Sequence, residues 1–546
     1  MATPPNVSQR DFDRALSEFE SAVGADWVFK DDESVALYRD AYSPFKGEEE
    51  ERVASAAVAP NSVQQVQQVV RTANEYRIPI YPTSTGKNLG YGGSAPNLSG
   101  SVVLDLKRMN RILDVSERQA SALVEPGVSY FDLYRHIQER GLKLWIDCPD
   151  PGWGSVIGNA LDHGGGYTLT QLRNHFDAHC GMEVVLPDGD LLRTGMGAMP
   201  GAESWQQYKF GVGPWIDGLF SQSNFGVVTK MGFWLMPEPD AYLTGTVVVP
   251  KHDDLIALVD ILNYLENTGV VNGMPQLGSP LIGGFFSQPD PELQALLSRG
   301  APTAEIEDYA REVGRGYWSC TVKFYGAEKA IAANWEYAQE KFSAIAGATF
   351  EDGESFKFPL TFEQIEDITR QQSVGSRSST LPEFGIPSLT MFSIGARSET
   401  NPTPTQGHVW FSPIIPRTGE AIMEANRVFA EAAGEFGLPV RAAGFSLPTT
   451  YWNRSFIYLF GFPISNDIEQ NRKMRESFER LVRVAAEHGW GEYRTAPAFQ
   501  DLVLDTYSFN DNALRRFQER LKDAVDPNGI LSAGRYGIWP KHLRDA

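Results

Sequence analysis

GKNLGYGG, residues 86–93, sets four glycines and one tyrosine in eight positions. Glycine loses more backbone freedom on folding than any other residue, so this density needs a reason. The stretch follows IPIYP at 78–82, which reads as a short strand. A strand feeding a glycine-rich loop suggests an anion site, because backbone N–H groups close around a phosphate only where side chains are missing. The common phosphate motifs are absent. No GxGxxG opens a helix, and Gly86-Lys87 is followed by Asn88 rather than by Ser or Thr. Spacing alone therefore leaves two readings open, a diphosphate loop and an ordinary tight turn.

Outward from this loop, helix and strand signals alternate. PNSVQQVQQVVRTANEY (60–76) starts with Ser62 and Gln65 at capping-box spacing and places Val63, Val66, Val70 and Ala73 on one face. SVVLDL, RILDV and SALVEPG, between 101 and 127, read as strands. SYFDLYRHIQER (129–140) reads as a helix capped by Ser129 and Asp132, and EVVLPDGDLLRT (183–194) as a hairpin turned at Pro187-Asp188-Gly189. NFGVVTKMGFWLMP (224–237) is a further buried strand. Beyond Pro237-Glu238-Pro239 longer helical runs appear, such as DDLIALVDILNYLENT and GAEKAIAANWEYAQEKFSAI, which sets a boundary near 238.

The 546 residues carry a net charge of -21, which argues against a nucleic-acid partner, since phosphate binding needs a basic face. Three cysteines, Cys148, Cys180 and Cys320, form neither a disulfide framework nor a CxxC pair, and a reducing cytoplasm is expected. No signal peptide or 18-residue apolar run is evident, so no membrane association is expected. HFDAH (175–179) has the spacing of a metal pair but lacks the glutamate of HExxH and a third ligand, so no metal is expected. HGGG (163–166) has the form of an esterase oxyanion loop, but no GxSxG accompanies it.

PTSTGKNLGYGG, followed by SGSVVLDLKRMNRILDV, resembles the pyrophosphate loop of the vanillyl-alcohol oxidase family, FAD enzymes acting on para-substituted phenols. DCPDPGWGSVIGNALDHGGGYT, HCGMEVVLPDGDLLRTGMGAMPG, GHVWFSP, GEYRT and DPNGILSAGRYGIWP look like that family in the same order. The blocks are dense over roughly 55–240 and 485–540. The resemblance implies an α+β fold of the vanillyl-alcohol oxidase / p-cresol methylhydroxylase type. An FAD-binding domain would span 1–237, with 497–546 packing back onto it. A cap domain on an antiparallel sheet would span 238–496.

The same resemblance implies a catalytic set. Tyr91, Tyr493 and Arg494 would hold the phenol as its phenolate, and Asp150 would act as acid and base beside the flavin N5. Asp147 is a rival on the opposite face of the strand. Structural alternatives are a turn cap for Asp150 and a Glu492 partner for Arg494. FAD would be bound covalently through His408. Ser84, Gly86, Lys87, Asn88 and Leu89 would line its diphosphate. Ser155, Gly158, Asn159, Gly181, Glu183, Gly226 and Val228 would follow the ADP and ribityl parts, and Arg535, with Tyr536, the ring end. Hydride would pass from the substrate α-carbon to FAD, the p-quinone methide would be hydrated or lose a proton, and O2 would return the flavin to its oxidised state with release of H2O2. A cytochrome-coupled dehydrogenase of the same fold, a 2-hydroxy-acid dehydrogenase and a cofactor-free scaffold are the rivals. Octameric relatives carry an insertion where SWQQYK (204–209) is short, so a homodimer is expected. The chain departs from its relatives at 445–462 and 394–413, where the pocket is shaped.

Overall fold

The computed structural model describes residues 3–88, 90–282, 290–373, 380–389, 407–437, 449–452 and 454–544. Leu89, the segment 394–406 and most of 438–453 lie outside these.

The first 240 residues build two larger sheets and a two-stranded antiparallel pairing of Leu144–Trp145 with Met236–Pro237. In the first, strands run in the order Val28–Phe29, Ala56–Val58, Val102–Asp105, Ile80–Thr83. The outer pair is antiparallel and the other two pairings are parallel. Ala56–Val58 and Val102–Asp105 are buried at every position, as parallel strands covered on both faces must be. Helix Val63–Tyr76 covers this sheet with Val63, Val66, Val69, Val70 and Ala73. Its Ser62 caps Gln65 N–H, but Gln65 reaches back to the Asn61 N–H rather than to Ser62, so the expected capping box is displaced by one residue. Helix Gln9–Val23 lies against it through Phe12, Leu16 and Phe19. At the front of the chain, then, one apolar stripe meets another.

The second sheet is antiparallel throughout, in the order Ile112–Ser116, Ser121–Val124, Val227–Trp234, His179–Val185, Leu191–Arg193. The predicted hairpin closes with Gly189 N–H on Leu186 O at 2.8 Å, and Gly189 takes φ 80°. The predicted capping box at Ser129 and Asp132 is formed on helix Tyr130–Glu139.

After Pro237 a four-stranded antiparallel sheet takes over, in the order Gln276–Gly278, Trp318–Gly326, Ala241–Val249, Thr349–Lys357. Helices Asp254–Asn267 and Glu328–Phe342 supply Leu258, Leu262 and Trp335 to a core shared with Trp318 and Phe324. This is the expected antiparallel cap sheet. Strand His408–Phe411 pairs with Phe460–Pro463, and helices Gly419–Gly434 and Ile468–Glu487 pack behind it. The chain end returns to the first sheet: Ile80 N–H donates to Ile530 O at 2.7 Å and Ser532 N–H to Ile80 O at 2.8 Å. Among the described residues, no helix is long and apolar enough to cross a membrane.

Candidate active site

The glycine loop is tied at both ends. Strand Ile80–Thr83 delivers it from the first sheet, and Gly86 and Gly90 take φ 66° and 80°, where a Cβ is disfavoured. Gly90 is also too close to its neighbours for a side chain: a Cβ there would lie 2.7 Å from Trp410 Nε1 and 2.9 Å from His408 Cδ2. Its carbonyl accepts from Trp410 N–H at 3.2 Å. The loop thus meets strand His408–Phe411 backbone to backbone.

That strand carries the next connection. Ser412 N–H donates to Glu492 Oε1 at 2.8 Å, and Ile414 N–H to Gly491 O at 2.9 Å. GEYRT is therefore strapped alongside FSP, and FSP alongside the glycine loop. Three segments, 80 residues apart at Ser412 and Glu492 and 321 apart at Tyr91 and Ser412, place Tyr91, Tyr493 and Arg494 around one cavity. The Arg494 guanidinium lies over the Tyr91 ring with Cζ 4.0 Å from its centroid. Tyr91 Oη donates to Ser412 Oγ at 3.2 Å. Gln222 Nε2 holds the Tyr493 carbonyl at 2.9 Å.

Burial is the first electrostatic fact here. It pushes the Tyr91 hydroxyl well above its ordinary range, helped by Tyr493 and opposed by Arg494. Tyr493 is raised for the same reason. Both therefore stay protonated donors at any physiological pH. For Arg494, burial works against the cation, but the Asp162 carboxylate beside it outweighs this and holds it charged. A cation with two phenolic donors beside it is a site for an oxyanion.

Asp150 lines the same cavity with Trp410, Ile457 and Leu459. Ser388 Oγ donates to its Oδ2 at 2.8 Å, and Gly152 N–H to Ser388 O at 2.8 Å. Its rival Asp147 is engaged elsewhere: Thr168 N–H donates to it at 2.7 Å and His175 Nε2 lies 2.9 Å away. The HFDAH histidines meet different carboxylates, with His179 Nε2 3.0 Å from Asp217 Oδ2. Among the described residues no group of His, Cys, Asp and Glu is arranged to hold a metal.

A second, longer cavity adjoins the first. Ser84, Gly86, Lys87 and Asn88 line it from the glycine loop, Ser155, Gly158 and Asn159 from the short helix Val156–Leu161, and Gly226, Val228 and Arg535 from farther along the chain. Lys87, Asn88, Gly154 and Asn159 line both cavities. Backbone donors, a lysine and an arginine around one cleft suit a diphosphate-bearing cofactor, so the residues present fit FAD. Gly181 and Glu183 stand apart from this lining. Gly181 backs onto Trp205, and buried Glu183 pairs with Lys230 at 2.7 Å and Arg193 at 2.9 Å within the sheet. His408 is buried beside Gly90, with Tyr42 and Trp410 as ring neighbours at 5.1 and 4.6 Å.

Arg494 does not pair with Glu492. Glu492 is occupied by Ser412, and burial raises its carboxyl well above the ordinary range against those hydrogen bonds. The carboxylate that Arg494 meets is Asp162, 3.1 Å from its Nε. The same carboxylate takes Arg535 Nη2 at 2.7 Å and Tyr536 Oη at 2.6 Å. Sequence reasoning singled out neither Asp162 nor Ser412. Asp162 sits inside the block NALDHGGG, between Leu161 and His163, with no local pattern to mark it.

Comparison with known proteins places the fold and the cofactor-binding domain. Residues 54–195 match the model of the FAD binding domain. The chain is 31% identical to the 4-cresol dehydrogenase [hydroxylating] flavoprotein subunit of Pseudomonas putida, covering 98% of this chain and 97% of that one. A solved 4-ethylphenol oxidase from Gulosibacter chungangensis, in complex with isoeugenol, superposes with TM-score 0.80 at 34% identity, covering 100% of both chains. A p-cresol methylhydroxylase structure with substrate bound gives 0.79 at 30%, covering 99% of both. The chain belongs to the vanillyl-alcohol oxidase family of FAD-dependent, phenol-oxidising flavoproteins.

Proposed function

We propose that this protein is an oxidase of para-substituted phenols, taking 4-alkylphenols, 4-hydroxybenzylic alcohols and eugenol-like compounds. The observation that carries the reading is the convergence of Tyr91, Tyr493 and Arg494 at one end of a cavity whose wall also holds Asp150. A free phenol ionises near pH 10. Two hydroxyl donors and a guanidinium favour its anion, each charged hydrogen bond contributing about 1.5–3 kcal/mol. Ionisation makes the para side chain electron-rich, so its α-carbon gives up a hydride more readily. FAD, when bound, supplies the hydride acceptor and returns the electrons to oxygen. Asp150, oriented by Ser388, is the group that takes or gives the proton as the quinone methide is hydrated or loses a side-chain proton to become the isomeric alkenylphenol. Ser84, Gly86, Lys87, Asn88, Ser155, Gly158, Asn159, Gly226, Val228 and Arg535 would hold the cofactor, and His408, buried beside Gly90, would be its covalent anchor.

A second reading keeps the substrate and changes the electron acceptor. The near full-length similarity to a 4-cresol dehydrogenase flavoprotein subunit supports a protein acceptor in place of oxygen. The homodimer belongs to this same proposal. So does a reducing compartment, which the three buried, unpaired cysteines fit.

The test is turnover of 4-ethylphenol in air, with hydrogen peroxide measured against substrate consumed, and then anaerobically with cytochrome c. Stoichiometric peroxide supports the oxidase. Reduction of cytochrome c with no peroxide selects the second reading. A flavin-loaded protein that turns over no para-substituted phenol under either condition ends both.

A further inference from the structure

Asp162 is a buried carboxylate between two cavities, and the phenolate mechanism above does not use it. It lines the longer cavity together with Arg535, while Arg494 lines the smaller one and Asn88 lines both. Only 5% of the residue is exposed. Its Oδ2 accepts from Arg494 Nε at 3.1 Å and also takes the Asn88 amide. Its Oδ1 accepts from Arg535 Nη2 at 2.7 Å and from Tyr536 Oη at 2.6 Å. Asn88 closes the arrangement by accepting from Arg494 Nη2. Asp162 and Asn88 thus engage Nε and Nη2 of the fork, and neither takes Nη1. The guanidinium plane is fixed with its face on the Tyr91 ring.

The charges around Asp162 can be followed on every side. Arg494 and Arg535 are its cations; Tyr536 and Asn88 are neutral donors. Arg535 also donates to Tyr81 Oη at 3.1 Å. His163, next in the chain, turns to Ser221 Oγ at 3.1 Å. Two guanidinium groups against one carboxylate leave one positive charge on the wall between the cavities.

We propose that Asp162 is a positioning residue for the phenol site: it holds the Arg494 fork by one edge, so that the cation is aimed at the phenolate. This rests on the phenol-oxidising reading above. The proposal makes a prediction opposite in sign to simple charge counting. Removing a carboxylate beside two arginines raises the local positive potential, which by itself favours an anionic ligand. Removing the anchor of Arg494 does the reverse, because a charged hydrogen bond depends on direction as well as charge.

The experiment titrates 4-fluorophenol on flavin-loaded protein by fluorine NMR, which reports both affinity and ionisation. The probe has no α-carbon and is not turned over. The expected result is a phenolate signal on the unmodified protein at a pH well below that at which free phenol ionises. Asp162→Asn should weaken binding by about tenfold to a hundredfold and return the bound probe towards its neutral form. Asp162→Glu, which keeps the charge but shifts it by roughly one carbon–carbon bond, should fall between the two. If the asparagine protein fails to load flavin, the glutamate protein decides. Equal or tighter binding of ionised probe in the flavin-loaded variants overturns the positioning role and leaves the phenolate reading intact. A probe that binds the unmodified protein only as neutral phenol, or not at all, overturns the phenolate reading and this proposal with it.

Discussion

Arg494→Lys keeps the positive charge beside Tyr91 and Tyr493 in the cavity and removes only its shape. The guanidinium touches Asp162 through Nε, Asn88 through Nη2 and the Tyr91 ring through its face. A lysine ammonium is one point donor and reproduces at most one of these contacts together with the substrate bond. The loss comprises one charged hydrogen bond, about 1.5–3 kcal/mol, and the cation–π contact, about 0.5–1 kcal/mol. A sum of about 2–4 kcal/mol in transition-state binding corresponds to a fall in kcat/KM of about 30-fold to about 1,000-fold. The fold should survive, because Asp162 retains Arg535, Tyr536 and Asn88 and no charge is left unpaired. The assay is steady-state oxidation of 4-ethylphenol, normalised to bound flavin by absorbance, with thermal unfolding followed in parallel. A loss under about threefold with normal flavin content would refute the idea that fork geometry holds the substrate.

Gly90→Ala should lower flavin content and stability, because a left-handed backbone costs about 1–2 kcal/mol and the new Cβ meets Trp410 and His408. Gly269→Ala, at φ 76° with open space around it, should show only the backbone cost, and thermal unfolding of both checks this. Lys323→Ala breaks a fully buried pair with Glu383 at 2.6 Å and should destabilise by about 3–5 kcal/mol in denaturant unfolding, with most recovered in Lys323→Met/Glu383→Leu. His408→Ala should release yellow flavin into the supernatant after acid precipitation, where the unmodified protein keeps its colour in the pellet. At Asp162 burial raises the carboxyl, but Arg535 and Arg494 outweigh it and hold it below the usual range. Its contribution to stability is therefore complete above about pH 4 and lost as pH falls through the lower folded value, so acid unfolding of Asp162→Asn should be shallower.

The first 240 residues were readable because each element carries its own local signal. Ser129 and Asp132 are three residues apart, and Pro187-Asp188-Gly189 contains its turn chemistry. Strand Thr349–Lys357 was not readable. Its sequence, TFEDGESFK, is charged and largely exposed, and it exists because Ala241–Val249 offers it a ladder. The site divides in the same way. Tyr91 announces itself through its glycines. Tyr493 and Arg494 are an ordinary dipeptide until the strapping of Gly491 to Ile414 brings them opposite Tyr91. Asp162 had no such cue, because its partners lie 332 and 373 residues away and local pattern carries no information at that range.

The bond from Trp410 N–H to the Gly90 carbonyl has a consequence for how such a pocket diversifies. It fastens the Tyr91 loop to strand His408–Phe411 through main-chain atoms, which substitution of the surrounding side chains leaves in place. Other parts of the cavity lining depend on the side chains of Ile457 and Leu459. Selection can therefore resize that part of the cavity freely, while the fastening of the Tyr91 loop is inherited intact.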